Sequence, residues 1–140
     1  MNDKKTIDWL VGKQINKIYM NEDNLKFDTN DGEITFEVDG DCCSHSAFYD
    51  FYGVKDVLGK VVKSVKEIEL NIDERMDGKK YQESISVYGF EIVWEDMTWG
   101  DRTAVFSFRN YSNGYYGGSM QVCDNLDVTP EVTQDVVMTQ

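Results

Sequence analysis

The chain has 140 residues, 41% of them hydrophobic and 13% aromatic, with a formal net charge of −12 from 26 acidic against 14 basic residues. This is one domain's worth of chain, able to bury roughly 65–70% of its unfolded surface, and its aromatic content argues against disorder. The charge argues against direct nucleic-acid binding and against an anionic membrane surface, and it favours encounter with a basic partner.

Residues Asp8–Gly12 read as a short helical turn stopped by Gly12. Ile15, Ile18 and Met20 lead into a strand that ends at Asn21-Glu22-Asp23. Leu25–Asp28 and Ile34–Val38 alternate apolar and polar, the period of half-buried strands, and Asn30-Asp31-Gly32 between them supplies a hairpin turn. Asp39–Tyr52 has no clean period and reads as irregular. Val54–Leu58 predicts a second helical turn, ended by Gly59, and Val61–Ile72 a long strand. Asp77-Gly78 reads as a turn. Tyr81–Glu95 predicts two strand segments separated by a bulge or bend at Gly89. Thr103–Arg109 and Ser119–Cys123 predict strands around a glycine-rich loop. The sole proline, Pro130, interrupts none of these strands. From Asp124 the periodicity thins, so residues 124–140 read as a tail that frays or adds an edge strand through Val132, Val136 and Val137.

The segment Trp9–Ile18 echoes Asp56–Val65: an apolar pair, Gly-Lys, then a β-branched strand with the same spacing. The expected fold is therefore β-rich α+β. It is a mostly antiparallel sheet of about eight strands with two short helices, divided into two similar halves. Residues 1–123 are expected to form one domain.

Two segments concentrate unusual residues. The first, Asp39–Ser46, gathers Asp41, Cys42, Cys43, Ser44 and the only histidine, His45. Adjacent cysteines point to opposite sides of an extended chain and rarely share a metal, although Cys123 and His45 would complete a zinc set with one of them. The stronger reading is a buried thiol beside a capped turn, with no metal and no cofactor. His45 is a candidate base for a cysteine nucleophile, but no orienting third group accompanies it, and no G-x-S-x-G elbow is present. The protein reads as a non-enzyme. The three cysteines make a poor disulfide framework, and the N-terminal residues hold no long apolar run; both fit a cytoplasmic chain.

The second segment, Arg109–Ser119, combines Arg109, Tyr111, Asn113, Tyr115 and Tyr116 with three glycines. Glycines allow close backbone approach, and tyrosines stack on bases or sugars, so these five residues are the candidate ligand-binding set. The alternative is a bulged hairpin whose tyrosines cover the sheet. The Lys-Ser/Thr ending of a phosphate loop is missing.

In DGDCCSHSAFYD and RNYSNGYYGGSMQV the chain resembles an uncharacterised family of small acidic proteins from bacteriophages, prophages and bacteria. Its members carry a DGDCCS-type segment, a short helix ending in Leu-Gly, here Leu58-Gly59, and an SNGYYGGSL-type segment, with Met120 here in place of the commoner leucine. The resemblance spans roughly Leu10 to Val122 and implies a phage or mobile-element setting, with no biochemical activity to carry over.

Two classes of function follow. One is an acidic inhibitor occupying the basic, nucleic-acid-binding surface of a host defence protein. Its candidate stretches are Glu22 and Asp23; Asp73, Glu74 and Asp77; and Glu95, Asp96 and Asp101. The other is a binder of a nucleotide-like small ligand, using the Tyr-Gly loop beside Arg109. A zinc-stabilised structural module is the third alternative. No membrane partner is expected.

Overall fold

A computed structural model describes residues 6–40, 44–69, 84–112 and 118–138 of the chain. Among these residues lie a single 3-10 turn (Ile7–Leu10), a single α-helical turn (α1, Val54–Val57) and ten strands. The strands are β1 (Ile15–Met20), β2 (Asn24–Thr29), β3 (Gly32–Gly40), β4 (His45–Tyr52) and β5 (Ser64–Glu69), then β6 (Ser84–Asp96), β7 (Gly100–Ser112), β8 (Gly118–Cys123), β9 (Glu131–Val132) and β10 (Val136–Val137). The two expected short helices are thus not borne out as helices. Each is four residues long, and Gly12 and Gly59, at φ 86° and 85°, turn the chain away directly afterwards. The expected turn at Asp77-Gly78 lies outside the described residues, as do Asp41, Cys42, Cys43, Asn113, Tyr115 and Tyr116.

The strands form two antiparallel five-stranded sheets, ordered β8-β3-β2-β1-β9 and β10-β4-β7-β6-β5. Their inner faces share one core. Phe27 of β2 meets Phe51 of β4 and Phe106 of β7 at ring-centroid distances of 6.2 Å each, and Phe90 stacks on Phe106 at 5.1 Å. Leu25, Phe36, Phe48, Phe108 and Trp94 complete the centre, each buried. Burying a side chain of this size contributes roughly 1.5–3 kcal/mol, so this layer is what holds the sheets together.

Two strand readings are corrected. Of the stretch Asp39–Tyr52, expected to be irregular, the described residues hold the end of β3 and all of β4. The period is broken because the pairing runs Phe48↔Phe108 and then Asp50↔Ser107, leaving Tyr49 as a bulge residue. Phe48 and Phe51 both reach the core across that bulge. Conversely, β6 runs through Gly89 without a register shift, Gly89 standing opposite Ser107.

Exchanging β1–β4 with β5–β8, in order, turns the β8-β3-β2-β1 part of one sheet into the β4-β7-β6-β5 part of the other. The two echoed segments also pair with each other. Gly12 N donates to Val62 O at 2.8 Å and Gly59 N to Ile15 O at 2.7 Å; Val62 N donates to Lys13 O at 3.0 Å and Ile15 N to Lys60 O at 3.1 Å. The segment 124–138 places one short strand on the edge of each sheet. Val132 pairs with Ile18 of β1, and Val136 with Phe51 of β4.

Candidate functional site

Each motif segment begins in one sheet and ends in the other, β3 to β4 and β7 to β8, and the described strand ends that flank the two connections stand beside each other. On the first sheet Gly40 stands opposite Gly118; on the second, His45 stands opposite Tyr111 and Ser46 opposite Asn110. Asn110 is fully buried, and its Nδ2 donates to Ser46 Oγ at 2.9 Å and to Ser44 Oγ at 3.2 Å. Ser46 Oγ donates onward to Asp39 O at 2.9 Å. Tyr88, stacked on Phe108 at 4.7 Å, accepts a hydrogen bond from Gly118 N at 3.2 Å. This small polar cluster ties the two sheets together where the chain changes sheet.

The glycines there are required by space rather than by φ. A Cβ on Gly40 would run into Ser44 Oγ and lie 2.9 Å from Asn110 Nδ2 and 3.0 Å from the Ser44 carbonyl carbon. A Cβ on Gly118 would run into Ser46 Oγ and lie 3.2 Å from Asn110 Cβ. Neither glycine is in the left-handed region.

One residue along, Arg109 projects to the other face of β7. It is only 7% exposed, and its guanidinium lies 3.7 Å from the ring centroid of Tyr49, the bulge residue. Two positions away on that face, Ser107 Oγ donates to Asp50 Oδ1 at 2.6 Å. Burial raises the Asp50 pKa above its ordinary value, against the opposing pull of the Ser107 hydrogen bond and the Arg109 charge. Tyr111 is half-buried, its ring 6.3 Å from that of His45 and nearly parallel to it. Of the candidate ligand set, the structure therefore brings Arg109 and Tyr111 together on one face. Their neighbours Tyr49, Asp50 and Ser107 were not singled out from sequence. The only cue was an acid flanked by aromatics in Tyr49-Asp50-Phe51.

Cys123 does not join this corner. It ends β8, roughly 16 Å from Gly118 at about 3.3 Å per residue, and its Sγ accepts from Asn24 Nδ2 at 3.5 Å. No group of three His, Cys, Asp or Glu able to hold a metal occurs among the described residues.

A second region lies where the C-terminal segment passes the β1–β2 turn. An open groove of about 630 Å³ runs between Met20–Asp23 and Pro130–Met138. Pro130, Val132, Val136 and Met138 supply its apolar surface, over the buried Met20; Glu22, Asp23, Glu131 and Asp135 supply four carboxylates. Among the described residues, no Lys, Arg or His lines it. Its walls are pinned: Met20 N donates to Pro130 O at 3.1 Å, Asn21 Nδ2 to Thr129 O at 2.8 Å and Met138 N to Tyr49 O at 2.6 Å. Asp135 Oδ1 accepts from Gly53 N and Val54 N at 2.9 and 3.1 Å, anchoring the groove to α1.

The sequence model of a domain of unknown function (DUF7448) matches residues 8–122. The chain belongs to the DUF7448 family. It is also similar to an uncharacterised protein of Acanthamoeba polyphaga mimivirus, 33% identical over 116 residues that cover 80% of this chain and 88% of the relative. No solved structure matches the chain. The DUF7448 match contains both crossings and the β1–β2 side of the groove, whereas the C-terminal wall lies beyond it. Among the described residues of this DUF7448 protein, no helix is long and apolar enough to cross a membrane.

Of the acidic stretches picked from sequence, Glu22 and Asp23 line the groove. Glu95, Asp96 and Asp101 sit at the β6–β7 tip, and Asp73, Glu74 and Asp77 lie outside the described residues. At that tip Asp96 Oδ1 accepts from Thr98 N at 2.8 Å and Trp99 N at 3.0 Å, which holds its carboxyl below the usual range. The turn leaves Trp99 72% exposed. Glu131 and Asp135 were missed, because a segment without periodicity carries no sign of which strand edge it will join.

Proposed function

We propose that this DUF7448 protein is a non-catalytic, acidic binding protein that inhibits a host defence protein by occupying its basic, nucleic-acid-binding surface. The observation that carries the reading is the groove: four carboxylates around an apolar floor, with no cation among the described lining residues, on a chain of net charge −12. Such a surface attracts basic proteins and repels nucleic acids and anionic membranes. The similarity to a viral protein, with the DGDCCS-type and SNGYYGGS-type segments, supports a phage or mobile-element origin and action in the host cytoplasm. Affinity capture from host lysate across a salt series, with mass spectrometry of retained proteins and small molecules, tests it. A basic nucleic-acid-binding protein released by salt is expected; a partner held regardless of salt contradicts it.

The second reading is a binder of a nucleotide-like ligand. Tyr111 and Arg109 lie on one face of β7, which favours it, but the guanidinium is already engaged with Tyr49 and Asp50. The same capture experiment separates the two, since a sponge retains a small molecule that is lost when Arg109 or Tyr111 is changed. The zinc module is weaker still, because Cys123 and His45 belong to separate parts of the fold.

We also infer that the domain consists of two similar halves, β1–β4 and β5–β8, each giving its last strand to the other's sheet. The reciprocal hydrogen bonds around Gly12 and Gly59 support this. Both glycines have open space where a Cβ would go, so Gly12→Ala and Gly59→Ala are expected to cost nearly the same, about 1 kcal/mol each, by backbone strain alone. Unequal melting shifts would count against equivalent halves.

A further inference from the structure

We propose that the groove between the β1–β2 turn and the C-terminal segment receives an extended, basic stretch of a partner protein in which Lys or Arg alternates with apolar residues. This rests on the acidic-binder reading and gives it a place and a recognition pattern.

Three observations lead there. The groove is built rather than frayed, because backbone hydrogen bonds fix it to β1 on one side and to the β4 bulge on the other. Binding would cost little ordering of this chain. Its floor is apolar: Met20 and Val132 are continuous with the core, while Val136 and Met138 are half-buried. A purely polar polycation would leave that floor wet and unused. Its rim is acidic, with Glu22, Asp23 and Glu131 all exposed and in no ion pair among the described residues. Charge complementarity therefore selects a cationic occupant and excludes a phosphate or an acidic peptide.

The pattern of the occupant follows from the geometry of an extended chain. Successive side chains point to opposite sides, so alternate apolar residues settle on Val132, Val136 and Met138 while the intervening cations face outward. Long Lys and Arg stems then curl back to the carboxylates at the rim. A helix would present its apolar residues three and four apart and suits a longer groove.

The test uses the full chain and two end-blocked eight-residue peptides of equal charge, one alternating Lys and Val, the other Lys and Ser. Binding is read by fluorescence anisotropy at low and moderate salt, and located by backbone amide NMR shifts. The groove variant is Glu22→Lys/Asp23→Lys/Glu131→Lys. The control, Asp8→Lys/Glu67→Lys/Glu95→Lys, makes the same change in net charge at exposed sites elsewhere. Melting temperatures check that both remain folded. The Lys-Val peptide is expected to bind more tightly than Lys-Ser, to shift Met20–Asp23 and Val132–Met138, and to weaken roughly tenfold in the groove variant but less than about threefold in the control. Equal binding of the two peptides, or equal loss in both variants, overturns the groove and leaves the acidic-binder reading standing. No binding of either peptide at low salt overturns both.

Discussion

The corner where the chain crosses between sheets and the groove beside its C-terminal segment use polar residues in opposite ways. At the corner, Asn110, Ser44, Ser46 and the Tyr88 hydroxyl bond to one another or to backbone inside the fold, and Arg109 and Asp50 compensate each other behind them. At the groove, Glu22, Asp23 and Glu131 face solvent. The described residues of the two motif segments, Ser44, Ser46, Asn110 and Gly118, hydrogen-bond across the place where the two sheets meet. The residues left available are ordinary carboxylates, whose meaning comes from the surface they share. Dense motifs record tight packing as readily as they record a ligand.

The largest effect expected is at Asn110. Asn110→Ala removes both hydrogen bonds to the serines and leaves a small void in a buried polar cluster, at a cost of about 2–4 kcal/mol in urea unfolding. A loss under about 0.5 kcal/mol would show that the corner does not join the sheets.

Next is Gly118→Ala, where the new methyl group meets Ser46 and Asn110. A destabilisation of about 1–3 kcal/mol is expected. Combining it with Ser46→Ala should recover part of that, because the nearest obstacle is the serine hydroxyl. Failure to recover would mean that backbone, not side chain, sets the limit.

The Arg109–Asp50 face predicts a pH dependence. A carboxyl whose pKa is raised by folding binds its proton more readily in the native state, so it favours folding below the ordinary carboxylate range. That contribution is lost as pH rises through the raised value. Relative to Asp50→Asn, the wild type should therefore lose stability as pH climbs from about 4 toward neutrality. A difference that is flat or of opposite slope would show that Arg109 and Ser107 outweigh burial. Arg109→Gln should steepen the loss by withdrawing the compensating charge.

The smallest effect is at the groove. Glu22→Lys/Asp23→Lys/Glu131→Lys is expected to shift stability by no more than about 0.5 kcal/mol per site, as surface changes away from caps and buried networks do. A large loss would place these carboxylates with the structural residues and erase the contrast between the regions.

How much of this was legible in the sequence follows from the same physics. Alternation located β2, β3 and the middle of β7, because each has one face on the core. The Gly-Lys echo marked two segments that hydrogen-bond to each other. β4 was hidden because the Tyr49 bulge shifts Phe48 and Phe51 out of period 2, and Gly89 suggested a break that strand pairing bridges. Of the site, Arg109 and Tyr111 were visible as residue types, but not that Arg109 points into a closed face beside Tyr49 and Asp50. An edge strand through Val132, Val136 and Val137 was offered by the sequence, but not that these valines join the edges of two different sheets, on which the groove depends.

The most direct test of the central claim is the association rate constant for the first basic host protein recovered, measured by stopped flow against ionic strength for wild type and the groove variant. Exposed charges act within about 8–10 Å at moderate salt, and steering acts on encounter more than on escape. The account predicts that the wild-type rate falls steeply with salt, that the groove variant associates roughly tenfold more slowly at low salt, and that dissociation changes little. Rates that ignore both salt and the three charge reversals would contradict it.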